Sequence, residues 1–366
     1  MTAKVYYDLR EQLDQYSMGF PATESGVELR ILERLFSEEE AELYLSLSMM
    51  LETPEAIAQR IGRDAAAVAA LLERMFEKGL IFRVKKGDSP KYGAVPFVVG
   101  SYEYQAKDMD RGLAELFEQY FVEALGKKGI GQMPPLRTIP VNKSIHHLWP
   151  VAPYEDVKKI LESKDKISVA NCICRMQQGL LDKGCDKPLE VCFQFGSHAQ
   201  YYADKGMARF ITKEEALSII DKCDQEGLVP QPFASQDAGG MCNCCGDCCG
   251  ILRSIKFHSK PSEQVLTNYY AAVDPDVCSA CETCVDRCQM EAIKVGDNDV
   301  ALVDRDRCIG CGLCVTTCPS EALSLRSKPE SERKEPPTTA KDYTTHLALA
   351  RGTSLIPISL SRKSST

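Results

Sequence analysis

No cysteine occurs before Cys172, and a single tryptophan, Trp149, serves all 366 residues. There is no apolar run near the roughly 20 residues that a bilayer-spanning helix needs; the longest, Ala65 to Leu72, falls far short. The opening MTAKVYYDLREQLDQYSMGF has neither the unbroken apolar core nor the small-residue cleavage pattern of an export signal, so the expected location is the cytoplasm. Basic excess is missing too. The net charge is −8 and the isoelectric point about 5.4, which speaks against a general nucleic-acid binder. No G-x-G-x-x-G follows a strand, and there is no P-loop and no nucleophile–base pattern, so hydride and nucleotide chemistry have no visible site. Disorder throughout is excluded, since 44% of the residues are hydrophobic.

What is present is cysteine: eighteen, all from Cys172 onward. In a reducing compartment such density points to metal or redox chemistry and away from structural disulfides. The length suits two or three domains. The expected fold class is α+β and multi-domain. A helical region covers 1–125, a cysteine-rich α/irregular middle with its linker 126–270, a compact metal-rich domain 271–326, and a flexible or partner-docking tail 327–366.

In the front region Ser37 and Glu40 spell a capping box ahead of Leu43, Leu45 and Leu47. Thr53-Pro54 starts a second helix that should stop at Gly62, and Asp64 caps a third. Val68, Leu71, Leu72, Met75 and Phe76 give that third helix one apolar face, ending at Gly79. LIFRV, KKGDSPK and YGAVPFVV read as a β-hairpin. Three helices and a hairpin over about 37–99 resemble a winged helix-turn-helix domain. Its third helix is rich in alanine where a DNA reader would show Arg, Lys, Asn or Gln. Arg60, Arg63, Lys85, Lys86 and Lys91 could touch phosphates, but solvated surface charge is the preferred reading, and a platform for a protein partner suits the acidic balance better. A further helix lies between Asp108 and Leu125. The Gly- and Pro-rich stretch after it reads as a loop, with His146 and His147 beside Trp149 taken as packing residues. A helix from Pro153 to Ser163 leads into the cysteines.

CSACETCVDRCQ from Cys278 and CIGCGLCVTTCP from Cys308 carry the same C-x₂-C-x₂-C-x₃-C spacing. Cys278, Cys281, Cys284 and Cys288 map onto Cys308, Cys311, Cys314 and Cys318 at a constant offset of thirty, as Ala292-Ile293 maps onto Ala322-Leu323. Three close cysteines can reach three irons of a cubane, and the fourth ligand must come from elsewhere. The stretch from Asp274 to Leu325 resembles a two-cluster bacterial-type ferredoxin domain, whose fold is short antiparallel strand pairs and two short helices. That pattern implies crossed ligation. Cluster A would take Cys278, Cys281, Cys284 and Cys318; cluster B would take Cys308, Cys311, Cys314 and Cys288. Pro319 follows the last cysteine of the second ladder, while Gln289 stands at the matching place in the first. Zinc also accepts C-x₂-C pairs but is rarely held by a duplicated ladder of this kind.

The middle holds Cys172, Cys174, Cys185 and Cys192, then Cys242, Cys244, Cys245, Cys248 and Cys249. The first four are compact enough in sequence to hold one cluster. The last five cannot all face one centre, because neighbouring side chains diverge: four could bind while one packs, or the two groups could share ligands. Arg175 could hydrogen-bond a cluster sulfur or form a surface salt bridge. Gly239, Gly240 and Gly246 could bring backbone N–H groups to an anionic cluster. Between the groups Thr212 and Glu215 spell another capping box, and Cys223 falls on the apolar face of its helix. Middle and back together resemble iron–sulfur proteins of anaerobic bacteria and archaea described only as 4Fe–4S binding proteins. The resemblance implies electron transfer; the two ladders call for two [4Fe–4S] clusters and the middle cysteines for a third, with zinc as the alternative there and a fourth cluster less favoured. The partner would be a redox protein or an oxidoreductase complex, the chain serving as carrier or wiring subunit with no catalytic residue of its own. Two other classes stay open: a redox- or iron-responsive winged-helix regulator, and an enzyme using an open-coordination cluster in the middle.

Overall fold

The structure, a computed structural model, describes residues 2–87, 89–126, 133–145 and 151–363. His146, His147 and Trp149 lie outside them. The chain forms two compact units, 1–125 with 344–366, and 126–343.

The first unit is helical with one hairpin. Helices span Lys4–Asp14, Val27–Leu35, Glu38–Tyr44, Pro54–Ile61, Ala65–Glu77 and Arg111–Tyr120. Both halves of the Ser37–Glu40 box form: the Glu40 N–H reaches Ser37 Oγ at 3.3 Å and the Ser37 N–H reaches Glu40 Oε2 at 2.8 Å. Thr53 caps Pro54–Ile61, Gly62 ends it in the left-handed region, and Asp64 caps Ala65–Glu77. Val68, Leu71, Leu72, Met75 and Phe76 are all buried. The later helix starts from Asp110, whose carboxylate accepts the Leu113 N–H at 2.8 Å. Strands β1 (Ile81–Lys86) and β2 (Ser89–Ala94) pair antiparallel. The stretch expected as a tail is helical over Ala340–Arg351 and Ile358–Lys363, and from 344 on it packs within this unit. The Ile358 N–H donates to Gln12 Oε1 at 2.7 Å, and Arg351 to Ser17 O at 3.0 Å.

The second unit is built on a five-stranded antiparallel sheet, with β3 (Ile167–Asn171), β4 (Glu190–Phe195), β5 (Ala208–Ile211), β6 (Val229–Pro232) and β7 (Gly240–Cys244) in the order β5-β3-β4-β7-β6. Helices Val157–Glu162 and Lys213–Gln225 join Ile167, Val169, Phe193, Phe195 and Met241 of the sheet in one apolar core. Thr212 caps Lys213–Gln225, but Glu215 does not close a box. Its carboxylate pairs with Arg209 at 2.6 Å instead. The same unit holds two small antiparallel pairs, β8 (Tyr269–Val273) with β11 (Leu323–Ser327), and β9 (Ile293–Val295) with β10 (Ala301–Val303). Short helices Thr283–Arg287 and Leu313–Thr316 complete a ferredoxin-like domain. No helix among the described residues is long and apolar enough to cross a membrane.

Candidate metal centres

The thirty-residue repeat is structural as well as textual. The Asp274 N–H donates to Ala322 O and the Asp304 N–H to Ala292 O, each at 2.7 Å. The Ala271 N–H donates to Cys308 Sγ and the Ala301 N–H to Cys278 Sγ, each at 3.4 Å. Each repeat thus supplies an N–H to the first cysteine of the other. Left-handed residues recur at the same offset, Ala280 with Gly310 and Glu282 with Gly312. The second ladder uses glycine there because a side chain at 310 would meet Tyr269 O and one at 312 would meet Ser144.

Two hollows result. The first, about 340 Å³, is lined by Cys278, Cys281, Cys284 and Cys318 with Val273, Val295, Ala301 and Leu323. The second, about 380 Å³, is lined by Cys288, Cys308, Cys311 and Cys314 with Ala271, Ile293 and Leu313. Each holds three cysteines of one ladder and the fourth of the other. Burial pushes the Cys311 thiol up to about 12, and those of Cys284, Cys288 and Cys314 above the usual range. An uncompensated thiolate is costly there, and a bound cation-rich cluster would supply the missing positive charge, so the donor set fits a [4Fe–4S] group. Cys281 is the exception: it is exposed, and the Thr283 hydroxyl, 3.4 Å away, lowers its thiol.

In the middle, strand geometry sorts the cysteines. Side chains alternate along β7, so Cys242 and Cys244 share the face opposite Met241 and Asn243. The pairing Phe193↔Met241 sets Cys192 of β4 beside Cys242. Cys172 and Cys249 stand at the N-caps of helices Ile173–Leu180 and Gly250–Lys256, and Cys174 lies in the first turn of the former. These thiols shift one another in a closed order, Cys172, Cys174, Cys249, Cys244, Cys242, Cys192 and back to Cys172, so the six form a ring of electrostatic neighbours. Bonds from Cys192 and Cys244 hold Cys242 down at about 6. Cys185 is elsewhere, with its sulfur 3.8 Å from that of Cys245 and 3.6 Å from that of Cys248. The grouping of Cys172, Cys174, Cys185 and Cys192 expected from their nearness in sequence is therefore not what the fold assembles. The two adjacent pairs straddle the sites: Cys244 and Cys249 face the ring, Cys245 and Cys248 the trio.

Arg175 is buried beside both groups, not placed in a surface salt bridge. Its guanidinium donates to Asn243 O at 2.8 Å and lies by the sulfurs of Cys172, Cys245 and Cys192, which raise it. The glycines serve packing. The Gly246 N–H donates to Gln289 Oε1 at 2.6 Å, Gly239 lies under the His198 ring, and Gly240 lies against Phe193 O and the Phe233 ring. Cys223 belongs to neither sulfur group, and burial pushes its thiol up to about 12.

Residues 271–325 match the family model described as a 4Fe-4S dicluster domain. Neither curated proteins nor solved structures give a match. The match over residues 271–325 supports an iron–sulfur electron-transfer role.

Proposed function

We propose that this chain is an iron–sulfur electron-transfer protein, a carrier or the wiring subunit of a larger oxidoreductase. Cys278, Cys281, Cys284 and Cys318 would ligate one [4Fe–4S] cluster, and Cys288, Cys308, Cys311 and Cys314 the other. The six-sulfur ring would hold a further iron–sulfur centre of the middle domain. The observation that carries this reading is the pair of four-cysteine hollows, each completed from the other ladder. Bound [4Fe–4S] clusters would supply one-electron oxidation and reduction.

The chain's own part is to hold the sulfurs, keep water out and set the charge around them. Backbone N–H groups of Ala271, Ala292 and Ala301 point at cysteine sulfurs and favour the more negative redox state. The exposed Cys281, with exposed Val277 nearby in sequence, marks the edge that a redox partner would approach. The second hollow faces inward. Cys311 O accepts the Val141 N–H at 2.9 Å, Arg287 donates to Gln225 O at 2.8 Å, and Gln289 accepts from Gly246.

The DNA-regulator reading has ion pairing against it. Arg63 and Arg74 both pair with Glu39, Lys78 with Glu40, Arg60 with Glu52, and Arg83 with Glu73. Of the cations that could meet phosphates, Arg60 and Arg63 are thus already met by carboxylates of the same unit.

Iron, acid-labile sulfide and zinc counted in anaerobically purified protein test the proposal. About eight irons per chain is expected from the terminal pair, and about twelve or more with the ring. Colourless protein whose terminal thiols are free, or hold only zinc, would overturn it.

A further inference from the structure

Nine middle-domain cysteines form two sulfur groups of different geometry, and that difference bears on what each can hold. In the terminal hollows four cysteines line each open space, and no three of their sulfurs lie within 4.8 Å of one another. This suits a cubane, whose ligands each bind a different iron and so lie well separated. Cys185, Cys245 and Cys248 are arranged otherwise. Their three sulfurs lie within 4.8 Å of one another, at 3.8 Å and 3.6 Å for the two pairs involving Cys185. A single tetrahedral ion with metal–sulfur bonds of about 2.3 Å sets its sulfurs about 3.8 Å apart along each edge. Three thiolates on one ion match that spacing; three corners of a cubane do not. Among the described residues this is the one group of three potential ligands so close together. The ring differs again. Its neighbouring thiols shift one another, but no three of its sulfurs lie within 4.8 Å of one another, which is too open for a single tetrahedral ion.

We infer that Cys185, Cys245 and Cys248 form a mononuclear site for a thiophilic divalent ion of the zinc class, separate from the iron–sulfur centre of the ring, with its fourth position left to an exogenous ligand. No fourth described Cys, His, Asp or Glu joins the trio. Three protein ligands and one open position is the arrangement of zinc sites that bind an exchangeable group. Two of the sulfurs are buried and Cys185 is half-buried, so the ion can be reached from one side. Arg175 beside Cys245 offsets part of the negative charge that three thiolates carry over a dication.

The inference rests on the electron-transfer reading only in giving iron to the ring, and the two fail separately. Metal and sulfide are counted in the full-length protein purified without oxygen from zinc-supplemented cells, alongside Cys185→Ser, Cys172→Ser and Cys223→Ser. The expected result is about one zinc per chain, lost at least fivefold in Cys185→Ser with iron and sulfide unchanged. Cys172→Ser should lose iron and sulfide and keep zinc. Cys223→Ser, altered in the same apolar cluster but outside both groups, should keep everything. Loss of iron and sulfide in Cys185→Ser without loss of zinc would overturn the inference, and so would zinc unchanged in that variant. Should Cys185→Ser fail to fold, zinc X-ray absorption on the unaltered protein decides. Three sulfurs at about 2.3 Å with one lighter ligand supports the site; absence of zinc, or four sulfur ligands, overturns it.

Discussion

At the scale of single residues, the informative position is the one where the repeat breaks its own symmetry. Pro319 and Gln289 occupy equivalent places, and the sequence marks the mismatch without showing its use. The fold shows it: the Gln289 side chain accepts the Gly246 N–H at 2.6 Å, between the two adjacent-cysteine pairs of the middle domain. A proline there would have no side-chain acceptor to offer. Gln289→Pro, or Gln289→Ala, is expected to lower stability by about 1–3 kcal/mol, the cost of stranding a buried N–H. Gly246→Ala should also destabilise, because its added Cβ would lie 2.6 Å from Gln289 O. As the two residues share one contact, the double variant should cost less than the sum of the singles. Urea midpoints measured without oxygen check this, and strict additivity would show that the contact carries no energy. The same limit explains the regrouping of Cys185. Its partners Cys245 and Cys248 lie 60 and 63 residues away, and only the sheet brings them together. The terminal ladders, by contrast, were legible because each packs three of its four cysteines into seven residues.

At the scale of elements, local chemistry was legible wherever an element's own residues determine it. Both halves of the Ser37–Glu40 box form, whereas Thr212 and Glu215 spell the same motif and form only half, because Arg209 across the sheet edge captures the carboxylate. Ser37→Ala should therefore cost about 1 kcal/mol. Glu215→Ala should cost no more than about 0.5 kcal/mol, since it removes only a surface ion pair. Equal losses in thermal melts would contradict the distinction. Glu40 adds a pH dependence. Burial pushes its carboxyl up, but bonds from Lys78 and Ser37 outweigh this and hold it below its usual value of 4.5. The stability it contributes is full above 4.5 and is lost as pH falls through the depressed folded-state value. The difference in urea midpoint between the protein and Glu40→Gln should therefore shrink below pH 4.5; a difference constant with pH would refute the linkage. The cysteines of β7 were half legible. C-x-C in an extended strand puts both sulfurs on one face, but nothing in the run itself shows that Cys245 and Cys248 turn the other way.

At the scale of the whole molecule, all eighteen cysteines fall in the second unit, which opens with a cysteine-free stretch from 126 to 171, and chain order otherwise follows the division into units. The departure is the C-terminal stretch from 344, which returns to the first unit. Composition could not reveal that return, because the buried face of Ala340–Arg351 amounts to Leu347 and Ala348. Within the second unit the decisive property is interlocking. Each ladder supplies three cysteines to its own hollow and one to the other, and each repeat donates an N–H to the other's first sulfur. If the hollows are the cluster sites, loss of ligands should therefore sort by hollow and not by ladder. Cys278→Ala and Cys318→Ala, forty residues apart in separate ladders, should each lose about four irons and leave the same remaining cluster. Cys288→Ala and Cys308→Ala should leave the other. The remaining cluster's midpoint potential and electron paramagnetic resonance spectrum are its fingerprint, since hydrogen bonding and exposure differ between the hollows. One fingerprint is expected for Cys278→Ala and Cys318→Ala, and a second for Cys288→Ala and Cys308→Ala. If Cys318→Ala instead matched Cys308→Ala, each ladder would be holding its own cluster. The crossed wiring, and with it the mutual dependence of the two halves, would be wrong.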